Sequence, residues 1–232
     1  MEYRVFGACA LVLLTGCWAV DGNGDRVTEH RRIPEVSRIA NDSQFDIDIS
    51  QGDTFEVRVR IDSNLQKHVD TEVRGDTLVI DSEAWVVDSE SGPHVLITMP
   101  RLESLANQGS GSVFAAWFEE PEEVHLRLSG SGDLGFEGNA PRIVAELDGS
   151  GDLHLNGSTD FVELTLEGSG DIEANGLVAA GADIELDGSG DLRVTVDGPV
   201  DARADGSGDV ELSGAVQRGR FSESGSGDIR VH

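Results

Sequence analysis

Through the second half of the chain apolar side chains occupy alternate positions, and the alternation survives each interruption by a Gly-Ser-Gly-Asp tetrad. Before the tetrads stand Leu126/Leu128, Ala145/Leu147, Leu164/Leu166, Ile184/Leu186 and Ala202/Ala204. After them stand Leu134/Phe136, Leu153/Leu155, Ile172/Ala174, Leu192/Val194, Val210/Leu212 and Ile229/Val231. Period two is the period of a β-strand with one face buried. Counted from the first tetrad glycine, the apolar positions are −4, −2, +4 and +6, and the glycines fall at 0 and +2 on the same parity. An extended chain would therefore turn both glycines inward, where only a hydrogen fits, and Ser and Asp outward. A bend would instead use the glycines for positive φ.

The tetrads begin at Gly130, Gly149, Gly168, Gly188, Gly206 and Gly225, preceded by the variant Gly109-Ser110-Gly111-Ser112, with spacings of 21, 19, 19, 20, 18 and 19. Each period is one structural unit. Stacking such units pairs every strand with its counterpart one coil away, which predicts an all-β, right-handed parallel β-helix (β-solenoid) with coils of about 19 residues. Asn156-Gly157, Asn175-Gly176 and Asp197-Gly198-Pro199 supply a second turn signal midway round each coil. In the last coil Glu223 takes the −2 position that earlier coils give to Leu or Ala, as expected of a coil that blunts an exposed edge.

Upstream, Phe45–Ile49, Thr54–Ile61, Asp70–Val73, Thr77–Ile80 and Val95–Met99 read as strands, and Asp62–His68 as one helical turn with Asp62 as N-cap. Trp85 and the run Phe114-Ala115-Ala116-Trp117-Phe118 are expected to plug the first end of the solenoid in preference to forming a sugar- or partner-binding patch. The run Phe45–Ser50 into Gln51-Gly52-Asp53, the segment Val95-Leu96-Ile97-Thr98-Met99-Pro100 and the glycine ladder behind them together resemble the putative auto-transporter adhesin, head GIN domain family, over roughly residues 36–230. The resemblance implies a right-handed β-helix in a lipoprotein or secreted protein of a Gram-negative bacterium, and it imports little chemistry.

Met1-Glu2-Tyr3-Arg4, the apolar run Val5–Leu14 and Leu14-Thr15-Gly16-Cys17 resemble a bacterial lipoprotein signal peptide, too short to span a membrane. The resemblance implies cleavage before Cys17 and lipid attachment there, with palmitate among the chains and the membrane reached through that anchor. Trp18, a non-Asp residue after the cysteine, resembles an outer-membrane sorting signal. Cys9 leaves with the signal, so no disulfide is expected. The division is then a signal peptide over 1–16, a polar tether over 17–32, and a β-helix domain over 33–232, with irregular coils over 33–108 and repeat coils over 109–232.

Acidic residues number 44 against 17 basic ones, a net charge of −27 with Lys67 the single lysine, which excludes nucleic acid as a partner and a basic footing on anionic lipid. Glycine contributes 29 residues and aromatics 5%, so the core is built from Val, Leu, Ile and Ala. His30, His68, His94, His125, His154 and His232 form no HxH or HExxH pattern, and no G-x-S-x-G elbow occurs. Asp46 and Asp48 alternate with apolar residues and form the wet face of a strand rather than a calcium loop.

Stacking also aligns Asp133, Asp152, Asp171, Asp191, Asp209 and Asp228 at about 4.8 Å, where unit charges repel by roughly 0.9 kcal/mol in water. Hydrogen bonds from tetrad amides or Ser hydroxyls offset this, or else bridging divalent cations do. No catalytic residue, metal ligand or cofactor is assigned. The leading function is a non-catalytic, lipid-anchored cell-envelope protein presenting an acidic solenoid surface, as an adhesin or assembly module, with the protein or glycan partner and any oligomerisation left open. The alternatives are a calcium-dependent structural module and a carbohydrate-active β-helix enzyme.

Overall fold

A computed structural model describes residues 19–82, 84–87, 92–120 and 122–232; the proposed signal peptide and Cys17 lie outside them. The chain is a β-solenoid whose coils alternate between two sheets. One sheet, which enters the tetrad corner, runs through 77–81, 38–41, 104–107, 123–128, 142–147, 161–166, 182–186, 199–206 and 217–225, all parallel. The other, which leaves that corner, runs through 94–99, 46–51, 113–119, 134–140, 153–159, 172–179, 192–196, 210–213 and 229–231.

The alternation places the core as expected. Every apolar residue at −4, −2, +4 and +6 is buried except Phe221 and Val231, which sit half-buried in the last coil. Each large aliphatic side chain so removed from water stabilises the fold by roughly 1.5–3 kcal/mol. Within this core Phe118 and Phe136 stack across neighbouring coils, their centroids 6.4 Å apart.

Tetrad serines are exposed and the second glycine of each tetrad is buried. The reason for glycine is the stacked backbone rather than the core or the turn. A Cβ on Gly170 would strike the carbonyl oxygen of Gly151, one on Gly190 that of Gly170, and one on Gly208 that of Gly190. Among tetrad glycines only Gly225, in the last coil, has a positive φ, of 108°. Corner backbones keep pairing from coil to coil, Ser169 N–H to the Gly149 carbonyl at 3.0 Å and Leu153 N–H to the Asp171 carbonyl at 2.9 Å. Asn156-Gly157 is not a separate turn: it lies inside the continuous strand Leu153–Leu166, which bends there with Gly157 at φ 126°.

The first coils depart from chain order. The coil made by 77–81 and 94–99 stacks outside the coil made by 38–41 and 46–51, which in turn contacts 104–107 and 113–119. The chain thus starts one coil in, runs outward to build the terminal coil, and returns past it. Antiparallel strands seal that end: 56–62 against 94–99, 26–31 against 56–62, and 70–74 against 77–81.

Three expectations are corrected here. Residues 19–32 do not run free as a tether, because Ala19–Asp21 pairs with Trp85–Val87 and Arg26–Arg31 with 56–62. The helical turn shrinks to a 3-10 segment, Gln66–His68, preceded by Leu65 with no side-chain cap. Asp62 is buried instead and accepts the Gly24 N–H at 2.8 Å, fastening the N-terminal strand region to the domain. A polar residue serves this docking better than it would cap a single turn, since buried carboxylates require a donor.

Candidate functional site

Two corners carry the chain's ordered polar chemistry. At the tetrad corner each aspartate reaches one coil along. Asp133 Oδ1 accepts the N–H of Asp152 at 3.0 Å, Asp152 that of Asp171 at 2.9 Å, Asp171 that of Asp191 at 2.8 Å, Asp191 that of Asp209 at 3.0 Å, and Asp209 that of Asp228 at 2.9 Å. The ladder continues upstream in altered form, with Asp46 Oδ1 accepting the Ser112 N–H at 3.0 Å. Charge repulsion along the column is therefore offset by amide donors and, at its far end, by guanidinium groups. Arg193 donates to Asp191 at 3.0 Å and Arg230 to Asp228 at 2.7 Å and to Asp209. The Asp228 amide, then Arg230, hold the Asp209 carboxyl below the usual carboxylate range. Among the described residues no three His, Cys, Asp or Glu side chains converge as a metal-binding group.

Sequence reasoning missed the core counterpart of this ladder. Asn107 occupies the −2 position ahead of Gly109 and is fully buried, as is Asn41 in the adjoining coil. Asn41 Nδ2 donates to Asn107 Oδ1 at 3.1 Å, and Asn107 Nδ2 to the carbonyls of Gly111 at 2.8 Å and Asp133 at 3.0 Å. The signal was a polar residue at −2 in the first coil of the ladder, where the following five coils carry Leu or Ala.

The second corner joins the end of each post-tetrad strand to the next coil. Gln51 Oε1 accepts the Glu119 N–H at 3.0 Å, Asn139 Nδ2 donates to Glu119 Oε1 at 2.6 Å, and Ser158 Oγ to Asn139 Oδ1 at 2.7 Å. Beside it Glu120 is buried and accepts the Leu102 N–H at 2.8 Å; that burial pushes its carboxyl above the usual range. The aromatic run does not plug the first end. It forms the strand Val113–Glu119 between 46–51 and 134–140, with Phe118 buried but Phe114 41% and Trp117 75% exposed. The pairing slips between Ala116 and Phe118, and Trp117 adopts φ 62°.

The outer faces of the two sheets carry rows of paired charges. Arg142 lies over the Phe161 ring at 4.9 Å and bridges Glu123 at 2.9 Å and Glu163 at 2.6 Å. Arg220 engages Asp201 at 2.6 Å, and His94, His30 and His125 each meet one carboxylate, Asp48, Glu56 and Glu123, at 2.7 Å. Each of these histidines stands beside a different carboxylate, and the three do not converge.

The glycines and aspartates of the repeat thus serve coil stacking. The family described as putative auto-transporter adhesin, head GIN domain matches residues 37–216, and this chain belongs to it. Its fold is similar to that of a putative adhesin from Bacteroides fragilis, with TM-score 0.84 at 20% identity over 92% of this chain and all of that one. It is also similar to a putative lipid binding protein from Parabacteroides distasonis, with TM-score 0.73 at 24% identity over 93% of this chain and all of that one. No functionally curated protein matches it.

Proposed function

We propose that this protein is a non-catalytic, adhesin-like display scaffold of the bacterial cell envelope, held on the outer membrane by lipid on Cys17 and offering its acidic solenoid surface to a partner. The observation that carries the reading is the use of the repeat. Of the four residues that recur in every tetrad, the two glycines and the aspartate are consumed by backbone approach and by amide capping, which leaves the exposed serines and the variable outward positions to bind. Membership in an adhesin family supports the same conclusion. The acidic balance of 44 to 17 suits a surface that remains soluble and repels polyanions.

The test is fractionation of cells expressing wild type and Cys17→Ser, with labelled palmitate added. Wild type should take up label and sediment with the outer membrane; the variant should do neither. A Cys17→Ser protein that still sediments with membranes refutes the anchor. The calcium-dependent alternative loses ground because one oxygen of each ladder aspartate from Asp133 to Asp209 already receives an amide.

A further inference from the structure

We propose that the corner around Trp117 is a glycan-binding subsite that takes neutral or amine-bearing pyranosides, an assignment that rests on the display reading above and names the class of partner. Trp117 is the one described non-glycine residue with positive φ, at 62°. Left-handed backbone is unfavourable for a bulky side chain and persists only where something retains it. The indole's own packing does not retain it, because that side chain is 75% exposed, while its neighbour Phe118 supplies the buried anchor that fixes the backbone on one side. The bulge between Ala116 and Phe118 adds one residue to the strand, and that residue carries the most exposed large apolar side chain among the described residues. Bulges re-aim side chains at functional sites.

Two residues on, Glu119 opens a groove of about 290 Å³ lined also by Asn139, Ser158, Thr159 and Asp160. Its polar groups are pre-oriented: Ser158 Oγ holds Asn139, and Asn139 Nδ2 holds Glu119 Oε1. Trp117 stands two residues along the strand from this groove and does not line it. An exposed aromatic at that spacing from carboxylate and amide groups is chemistry suited to a pyranoside chain, with one ring's C–H face on indole and vicinal hydroxyls donating to carboxylates. An ammonium group on the sugar gains from both the indole face and the carboxylates. Glu119, Glu120 and Asp160 repel uronates and sulfated sugars, so the subsite selects against anionic glycans.

The full-length chain in detergent, labelled with 15N, is titrated with chitosan tetraose, chitotetraose and cellotetraose, with tetragalacturonate as the anionic control, while the indole N–H signals of Trp18, Trp85 and Trp117 are followed. The Trp117 signal should shift saturably with at least one of the first three and stay fixed with the fourth. Trp117→Gly relieves the positive φ, so it should melt no more than about 2 °C below wild type yet bind at least tenfold more weakly. No Trp117 shift at any of the three up to about 10 mM, ten times a weak millimolar Kd, overturns the proposal, as does undiminished binding by Trp117→Gly. Neither result bears on whether Cys17→Ser leaves the membrane, so the subsite and the anchor stand or fall separately.

Discussion

Glu223 Oε1 accepts the N–H of Ile229 at 3.0 Å, taking the place that a backbone carbonyl fills one coil earlier, where Val210 N–H donates to the Asp228 carbonyl at 2.9 Å. Among the described residues no strand pairs on the far side of Ile229–Val231, and Glu223 supplies the acceptor for that corner amide. The last coil, whose −2 residue is an acid where the five coils before it carry Leu or Ala, thus imitates the continuation of the stack.

Removing that imitation has a defined consequence. Glu223→Ala should cost roughly 1 kcal/mol, the scale of one hydrogen bond, and expose a pairing edge, whereas Glu223→Gln keeps an acceptor and should stay near wild type. Urea denaturation gives the stability, and sedimentation velocity shows whether the Ala variant self-associates. Equal stability and equal monomer content in both variants would remove the capping role.

The glycine column predicts a sharp positional contrast. Gly170→Ala places a Cβ against the Gly151 carbonyl, and the coil spacing cannot open without breaking its neighbours, so it should cost about 1–3 kcal/mol. Ser169→Ala alters an exposed side chain and should fall within about 0.5 kcal/mol. Melting temperatures of the two variants decide the matter; similar shifts would contradict the stacking explanation.

The aspartate ladder separates charge from acceptor. Asp171→Asn retains an oxygen for the Asp191 amide and lowers column repulsion, so it should be neutral or slightly stabilising at low salt. Asp171→Ala leaves that amide unpaired and should lose roughly 1–2 kcal/mol. Calcium should leave the melting temperature of wild type unchanged within about a degree, and a rise of about 4 °C that vanishes in Asp171→Asn would restore cation bridging.

Acid stability has two opposing contributions. The Asp209 carboxyl, lowered from its ordinary 3.8 by the Asp228 amide and then Arg230, and Asp201, lowered by the Arg220 amide and then its guanidinium, stabilise the fold above pH 3.8. That contribution is lost as pH falls through their depressed folded values. Glu120 has the reverse sign: burial raises it above 4.5, so its contribution is present below 4.5 and is lost as pH rises through the raised value. Asp209→Asn should flatten the acid limb of a urea-midpoint profile, and Glu120→Gln the limb above pH 4.5. A profile unchanged by either substitution would show that these groups do not control it.

The amino-acid sequence by itself determined the solenoid, its period, the face each repeat residue presents and the polar cap at Glu223. Those features follow from strict period-two alternation locked to the tetrads, a local signal that one register shift would destroy. Tertiary structure decided the rest. Parallel pairing leaves no mark of which coil stacks on which, so the outward placement of 77–81 and 94–99 beyond 38–41 and 46–51 emerges only when the antiparallel strands 26–31 and 56–62 seal that end. The same holds for Trp117. Its neighbours alternate as an ordinary strand would, and the bulge that turns its indole into solvent arises where Phe118 is drawn into the stack against Phe136. Residues 19–32 read as polar and aperiodic because their partners, 56–62 and 85–87, lie far along the chain. Alternation specifies which side of a strand is buried; which strand lies beside it is a long-range choice, made by the packing of the whole stack.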